Sequence, residues 1–222
     1  MIILPSRRRP AHLKQFFMGY DQAKSSEPGM LLIDDKDWGD NQADYENLLM
    51  PDNWIFRTGP EESMGDKVRA VWDLFVFSKW PYLCLLNDDH VPITKEWDKK
   101  LISLLDGKNF VTCNDAWFGH ERACGATIWS RDLLLAVGYV FPPTLQHLFI
   151  DNVWEDLGNA TECWKYEDSV VVRHNHAFRT GVLDETHRIG YGNWSDDELT
   201  YHTWRVKEKP QAVDRIRKLK GV

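Results

Sequence analysis

Two adjacent carboxylates, Asp88 and Asp89, follow the apolar run Tyr82–Leu86 in the order Asn87-Asp88-Asp89-His90. Such a run reads as a buried strand, and carboxylates ejected at its rim are costly unless something pairs with them. A hard divalent cation, Mn2+ or Mg2+, is a suitable partner, because it takes one or two protein carboxylates and completes its shell with diphosphate oxygens and water. Turn capping is the plainer use of Asn and Asp at a strand end. Three further strand ends shift the balance toward a site. Asp34 and Asp35 follow Met30–Ile33, His174 follows Val170–Val172, and Pro5-Ser6-Arg7-Arg8-Arg9-Pro10 follows Ile2–Leu4. A neutral imidazole can complete a Mn2+ shell, with a hydrogen-bonded structural role as the alternative for His174 and His176. Guanidinium groups suit phosphates through planar, multi-donor contacts.

The elements that must position these residues alternate along the chain. Short buried strands are expected at Ile2–Leu4, Met30–Ile33, Trp54–Phe56, Tyr82–Leu86, Phe110–Cys113, Ala126–Trp129 and Val170–Val172. Helices are expected at Ala11–Ala23, Ala43–Met50, Asp66–Phe77, Lys95–Leu105, Asp132–Val137 and Leu148–Leu157. Val68, Val71, Trp72 and Phe75, for example, form one apolar stripe at helical spacing. Ser195 and Glu198 have the spacing of a capping box, and Pro210 opens a basic final helix that reads as a solvated flank. This alternation is that of an α/β layered domain, in which ligands bind beyond the carboxyl ends of the strands.

At 222 residues the chain is long enough for one domain with a substantial core, taken as 1–222 with 195–222 a C-terminal helical extension. The absence of a spanning apolar run or a signal-peptide pattern gives a cytosolic expectation. Cys84, Cys113, Cys124 and Cys163 show no paired spacing and read as reduced, buried thiols. A formal net charge of −7 disfavours a broad nucleic-acid surface and leaves nucleic acid open only as an acceptor. The eleven tryptophans serve either as core or as platforms for the apolar faces of sugars.

Taken in order, Leu-Pro-Ser-Arg-Arg-Arg-Pro, Leu-Leu-Ile-Asp-Asp, Leu-Leu-Asn-Asp-Asp-His-Val-Pro, Ile150-Asp151 and Val-Val-Val-Arg-His174 resemble the family-2-type GT-A glycosyltransferases, from about residue 2 to about residue 178. The short stand-alone domains of phages and bacteria are the most similar kind. The resemblance implies a single GT-A domain with a mixed, mostly parallel sheet flanked by helices. It also implies a nucleotide-sugar donor, UDP-linked by preference, and a hydroxyl acceptor. The Pro5–Arg9 loop, with Pro5, Ser6, Arg7 and Arg9, and Asp34 would hold base and ribose, with Asp35 as a second choice. Lys67 and Arg69 would lie near the diphosphate. Asn87-Asp88-Asp89 occupies the place of the D-x-D motif, so Asp89 is the expected metal ligand, Asp88 a ribose or metal contact, and His174 a further ligand. Asn87 departs from the motif at its first position.

Gly125 and Ala126 resemble the small-residue stretch that admits the donor sugar. The family's catalytic base precedes a strand ending in His by some two dozen residues. Asp151, 23 residues before His174, fits that spacing, with Glu155 and Asp156 as alternatives. Trp117, Phe118, His120, Glu121 and Trp154 are the acceptor-side candidates. The implied reaction is metal-assisted departure of the nucleoside diphosphate with Asp151 as general base, inverting the anomeric centre. Two rivals remain: a nucleotidyltransferase acting on sugar phosphates, whose Gly-rich triphosphate loop is missing, and a non-catalytic carbohydrate-binding protein, which leaves the ordered polar set unexplained.

Overall fold

In the computed structural model, which describes residues 1–118, 122–123 and 126–222, eight strands form one sheet. They are β1 (Ile2–Pro5), β2 (Gly29–Asp34), β3 (Trp54–Gly59), β4 (Tyr82–Leu85), β5 (His90–Pro92), β6 (Phe110–Asn114), β7 (Thr127–Ser130) and β8 (Trp164–His174), in the order β3-β2-β1-β4-β7-β6-β8-β5. All strands except β5 and β7 run in one direction, so the sheet is mixed and mostly parallel. The carboxyl ends of β1, β2, β4 and β8 therefore open on one edge, and every polar cluster singled out above sits there.

The helices are α1 (Pro10–Gln22), α2 (Asp35–Glu46), α3 (Met64–Phe77), α4 (Trp97–Ile102), α5 (Arg131–Val137), α6 (Ile150–Thr161), α7 (Ala177–Thr180), α8 (Glu185–Gly192), α9 (Trp194–Lys207) and α10 (Lys209–Lys220). They cover both faces of the sheet, which is why the central strands read as continuous apolar runs rather than alternating ones. Strand residues divide between the two cores with period two. Ile3, Leu83 and Leu85 pack with α3, α5, α6, α9 and α10, whereas Ile2, Leu4, Tyr82 and Cys84 pack with α1, α2 and α4.

Several boundaries differ from the sequence expectation. The second helix begins at Asp35 rather than Ala43, because the acidic residues after β2 form its first turn, where the helix dipole favours negative charge. The short β5 had no apolar period of its own; it exists because His90, Val91 and Pro92 pair with β8. β8 starts at Trp164, its exposed first half lacking an apolar run. The Ser195–Glu198 capping box does not form, since α9 begins at Trp194 with Asn193 before it. A capping box does form at α8, between Asp184 and His187.

The final helix is no solvated flank. Ala212 and Ile216 are fully buried in the first core. Its basic residues terminate other helices: Arg215 donates to Val137 O in the last turn of α5, and Lys220 donates to Thr161 O and Glu162 O at the end of α6. Cys84, Cys113 and Cys163 are buried free thiols. No helix among the described residues is long and apolar enough to cross a membrane.

Candidate active site

The turn after β4 is closed twice. The His90 amide donates to Asn87 O at 3.1 Å, and the Asn87 amide donates back to His90 Nδ1 at 2.9 Å. This fixes Asp88 and Asp89 between them, both buried. Asp88 is fully engaged: Oδ2 accepts from the Ser6 hydroxyl at 2.7 Å and Oδ1 from Arg9 Nη1 at 2.9 Å. Asp89 turns the other way, and its Oδ1 stands 3.3 Å from His174 Nε2, delivered by the β5–β8 pairing that sets His90 opposite His174. Asp89 Oδ1, His90 Nε2 and His174 Nδ1 are buried without hydrogen-bond partners among the described residues.

A ring nitrogen from each of His90 and His174 and a carboxylate oxygen of Asp89 lie within 4.8 Å of one another. Two cis ligands about 2.1 Å from an octahedral ion stand about 3 Å apart, close to the Asp89–His174 spacing. The spacing of Asp89 Oδ1 and His174 Nε2 therefore fits two ligands of a divalent cation.

Burial and the adjacent Asp89 charge raise the Asp88 pKa against the pull of Arg9. Burial acts in the same sense on Asp89, but contact with His174 and the charges around it outweigh burial and hold Asp89 below the ordinary carboxylate range. For His174, burial is overcome by Asp89, Asp151 and Asp115, and its pKa rises. Burial and the charge of His174 push His90 down to about 3, and the same two causes push His176 down to about 4.

These groups line a cavity of about 240 Å³. One wall is the loop after β1 with Lys67 of α3. A second is the start of α6, entered through Phe149 at a left-handed φ of 65°, which places Asp151 in the first turn. The third is α8 and its approach, where His176, Thr186 and His187 face the cavity; Trp129 and Trp154 line it as well.

Each cationic side chain described around the cavity meets a carboxylate, Asp34 serving two of them. Asp34 takes Arg7 Nε at 2.6 Å and Lys67 Nζ at 2.8 Å, and Arg7 also donates to Glu62 O. Arg8 pairs with Glu185 at 2.7 Å. Arg9, buried, bridges Asp88 and Asp184. Arg7 and Arg9, expected to face phosphate, both line the cavity and are tied to carboxylates, whereas Asp34, buried beneath Arg7 and Lys67, does not line it.

Other expected residues fall elsewhere. Asp35 is exposed in the first turn of α2. Arg69 turns away from the cavity and donates to Pro142 O and Leu145 O while pairing with Asp66. Ala126 is packed in the second core, and Ala123 and Thr127 reach the cavity instead. Glu155 is consumed by Arg122 and the Ala123 amide, each at 2.7 Å. Asp156 points to the C-terminal helices, where Tyr201, Arg205 and Lys209 meet it. Of the three candidate bases, Asp151 alone lines the cavity.

Trp154 lines it too, with its indole N–H on Val140 O. Trp117 does not, but it packs on His176 at 5.1 Å between ring centroids. His120, Glu121, Cys124 and Gly125 lie outside the described residues.

Sequence reasoning named His90 in the strand-end cluster without giving it a role, and passed over His147, His187 and Asp115. Asp115 directly follows β6, so the same strand-end rule would have found it; its Oδ1 accepts from the Trp117 and Phe118 amides at 2.8 Å each. His147 and His187 sit in irregular or helical segments with no local signal.

No protein-family model matches the sequence, and no curated protein matches it. Solved structures do match the fold. Glucosyl-3-phosphoglycerate synthase of Mycobacterium tuberculosis, solved with Mn2+, UDP and phosphoglyceric acid, aligns with a TM-score of 0.54 at 11% identity over 83% of this chain and 79% of that one. Residues 1–349 of S. aureus TarS with UDP-GlcNAc give 0.54 at 12% identity, over 82% of this chain and 61% of that one. Mannosyltransferase PcManGT of Pyrobaculum calidifontis with GDP-Man and Mn2+ gives 0.52 at 12% identity, over 98% and 72%. The chain thus spans about three fifths of the TarS fragment and more of the other two. All three are GT-A glycosyltransferases, and this chain has the GT-A fold.

Proposed function

We propose that the protein is a glycosyltransferase that moves a sugar from a nucleotide donor, UDP-linked by preference, to a hydroxyl acceptor with a divalent cation held by Asp89 and His174. The observation that carries this reading is Asp89 Oδ1, buried without a hydrogen-bond partner among the described residues, 3.3 Å from His174 Nε2 in a cavity whose arginines and lysine are each engaged by a carboxylate. A diphosphate entering such a cavity brings two or more negative charges and finds each lining arginine and lysine already held by a carboxylate. A divalent ion held by Asp89 and His174 would add positive charge there and ease departure of the leaving group. The imidazole of His174 favours Mn2+ over Mg2+.

The remaining work belongs to the side chains. Arg7 and Lys67 hold the loop after β1 against α3 through Asp34, shaping the wall for the nucleotide. Ser6 and Arg9 keep Asp88 turned from Asp89. Asp151, whose charge reaches His174, takes the proton from the acceptor hydroxyl as it attacks the anomeric carbon from the face opposite the diphosphate, which inverts the configuration. The aromatic rings of Trp117 and Phe118, tilted against each other at 4.1 Å between centroids with Trp117 beside His176, offer the acceptor an apolar platform. The relatives solved with UDP, UDP-GlcNAc and GDP-Man support a nucleotide-sugar donor.

Thermal unfolding tests the reading, because a ligand bound only by the native state must raise Tm. UDP with Mn2+ should raise Tm clearly and UDP with excess chelator should not. No response to any nucleoside diphosphate under either condition would overturn it.

A further inference from the structure

Of the three side chains that converge on the candidate cation site, His90 differs from the other two. Its Nδ1 accepts the Asn87 amide hydrogen at 2.9 Å, and the His90 amide donates to Asn87 O in return. Turning the ring over would set a carbon-bound hydrogen against the Asn87 N–H, so the orientation is fixed by the turn itself. A ring nitrogen that accepts an N–H carries no proton, and a neutral imidazole must then carry it on the other nitrogen. Nε2 of His90 is therefore an N–H group with no lone pair for a metal. That N–H is buried, lacks a partner among the described residues, and belongs to a side chain lining the cavity. A buried donor left unsatisfied is costly, so an acceptor is expected to arrive there.

We propose that His90 is a hydrogen-bond donor to a diphosphate oxygen of the bound nucleotide, and that Asp89 and His174 are the only two of the three that ligate the cation. This rests on the nucleotide-sugar reading of the site. With two protein ligands, most of the coordination shell is left for the diphosphate and water, so cation and nucleotide bind together.

Two measurements test it. The nitrogen modulation of the Mn2+ electron-spin echo counts ligating imidazoles: one is expected in the wild type and in His90→Gln, and none in His174→Ala. Two in the wild type, falling to one in His90→Gln, would overturn the assignment. Calorimetry with UDP and saturating Mn2+ then separates donor from filler. Gln places an N–H near the position of Nε2, so His90→Gln should bind UDP as the wild type does, whereas His90→Leu should bind about tenfold more weakly or worse, as for loss of one hydrogen bond to a charged group. Equal weakening in both variants, with melting temperatures matched to the wild type, would contradict the donor role. If the wild type binds no nucleoside diphosphate, the functional reading fails with it, and the spin-echo count from Mn2+ alone still decides whether His90 is a ligand.

Discussion

Arg9 and Asp184 meet in a two-point contact across 175 residues of chain, Nε to Oδ2 and Nη2 to Oδ1, each at 2.7 Å. The same guanidinium holds Asp88 of the β4 turn, so one side chain ties α8 to the candidate cation site. Removing one member of a buried ion pair leaves the other charged and unpaired, which costs about 3–5 kcal/mol. Arg9→Ala should lower stability by about 3 kcal/mol in urea denaturation. Hydrogen exchange should show α8 losing protection before the sheet does. Unchanged protection of residues 185–192 would mean that α8 is held by its other contacts.

The site also depends on close packing outside it. A Cβ on Gly19 of α1 would lie 2.7 Å from Val91 Cγ1 and 3.0 Å from Pro92 O, in the strand that carries His90. Gly19→Ala must push α1 and β5 apart, an overpacking cost of about 1–3 kcal/mol. It should also weaken Mn2+·UDP binding, although Gly19 touches neither. Calorimetry and denaturation on the same sample check both, and intact binding in a destabilised variant would uncouple β5 from the site.

Asp151→Asn, nearly isosteric but without basicity, should cut kcat by about 10²-fold or more while leaving donor affinity near wild type. Glu155→Gln should act differently, through stability, since Glu155 secures Arg122 and the Ala123 amide. Steady-state kinetics beside nucleotide titrations separate the two. An active Asp151→Asn with an inactive Glu155→Gln that still binds donor would reassign the base.

His147 offers a test by pH. Burial, the largest influence, lowers its pKa from 6.5. The positive charges of Arg9, Arg7 and His187 add to that effect, and Asp197 opposes it. A base with a depressed folded pKa contributes fully above its unfolded value and loses that contribution as pH falls below it. Its ring lies against Gly190, where an added Cβ would come within 2.8 Å, so protonation should loosen α8 first. Exchange protection of α8 should fall between pH 7.5 and about pH 5.5, below the ordinary histidine pKa, and this pH dependence should be weaker in His147→Asn. Equal pH dependence in the variant would place the cause elsewhere.

How much of this was legible in the sequence varies with the physics of each part. The strands with two buried faces, such as Ile2–Pro5 and Tyr82–Leu85, announce themselves as apolar runs, and the polar residues that end them fall where loops converge. β5 could not be read, because its three residues are strand only by pairing with β8. The cluster Asp88, Asp89 and His174 was visible as strand ends, but the division of labour was not. That Asp88 is bound to Ser6 and Arg9, and Asp89 free of them, is a matter of which way two adjacent side chains turn. The arginine triplet read as a phosphate grip because residue type was the only guide; its carboxylate partners, Asp34, Asp184 and Glu185, come from distant segments. Glu155 and Asp156 were contenders as a literal acidic pair despite a poorer spacing to His174, and the partners that engage them come from segments the local sequence does not show.

The most direct measurement is release of the nucleotide from a panel of UDP- and GDP-sugars incubated with the protein and Mn2+ in the absence of acceptor. The site described here predicts slow cleavage of at least one donor, stopped by chelator and by Asp89→Asn. Failure to cleave or bind any nucleotide sugar, or cleavage that continues unchanged with chelator, would contradict it.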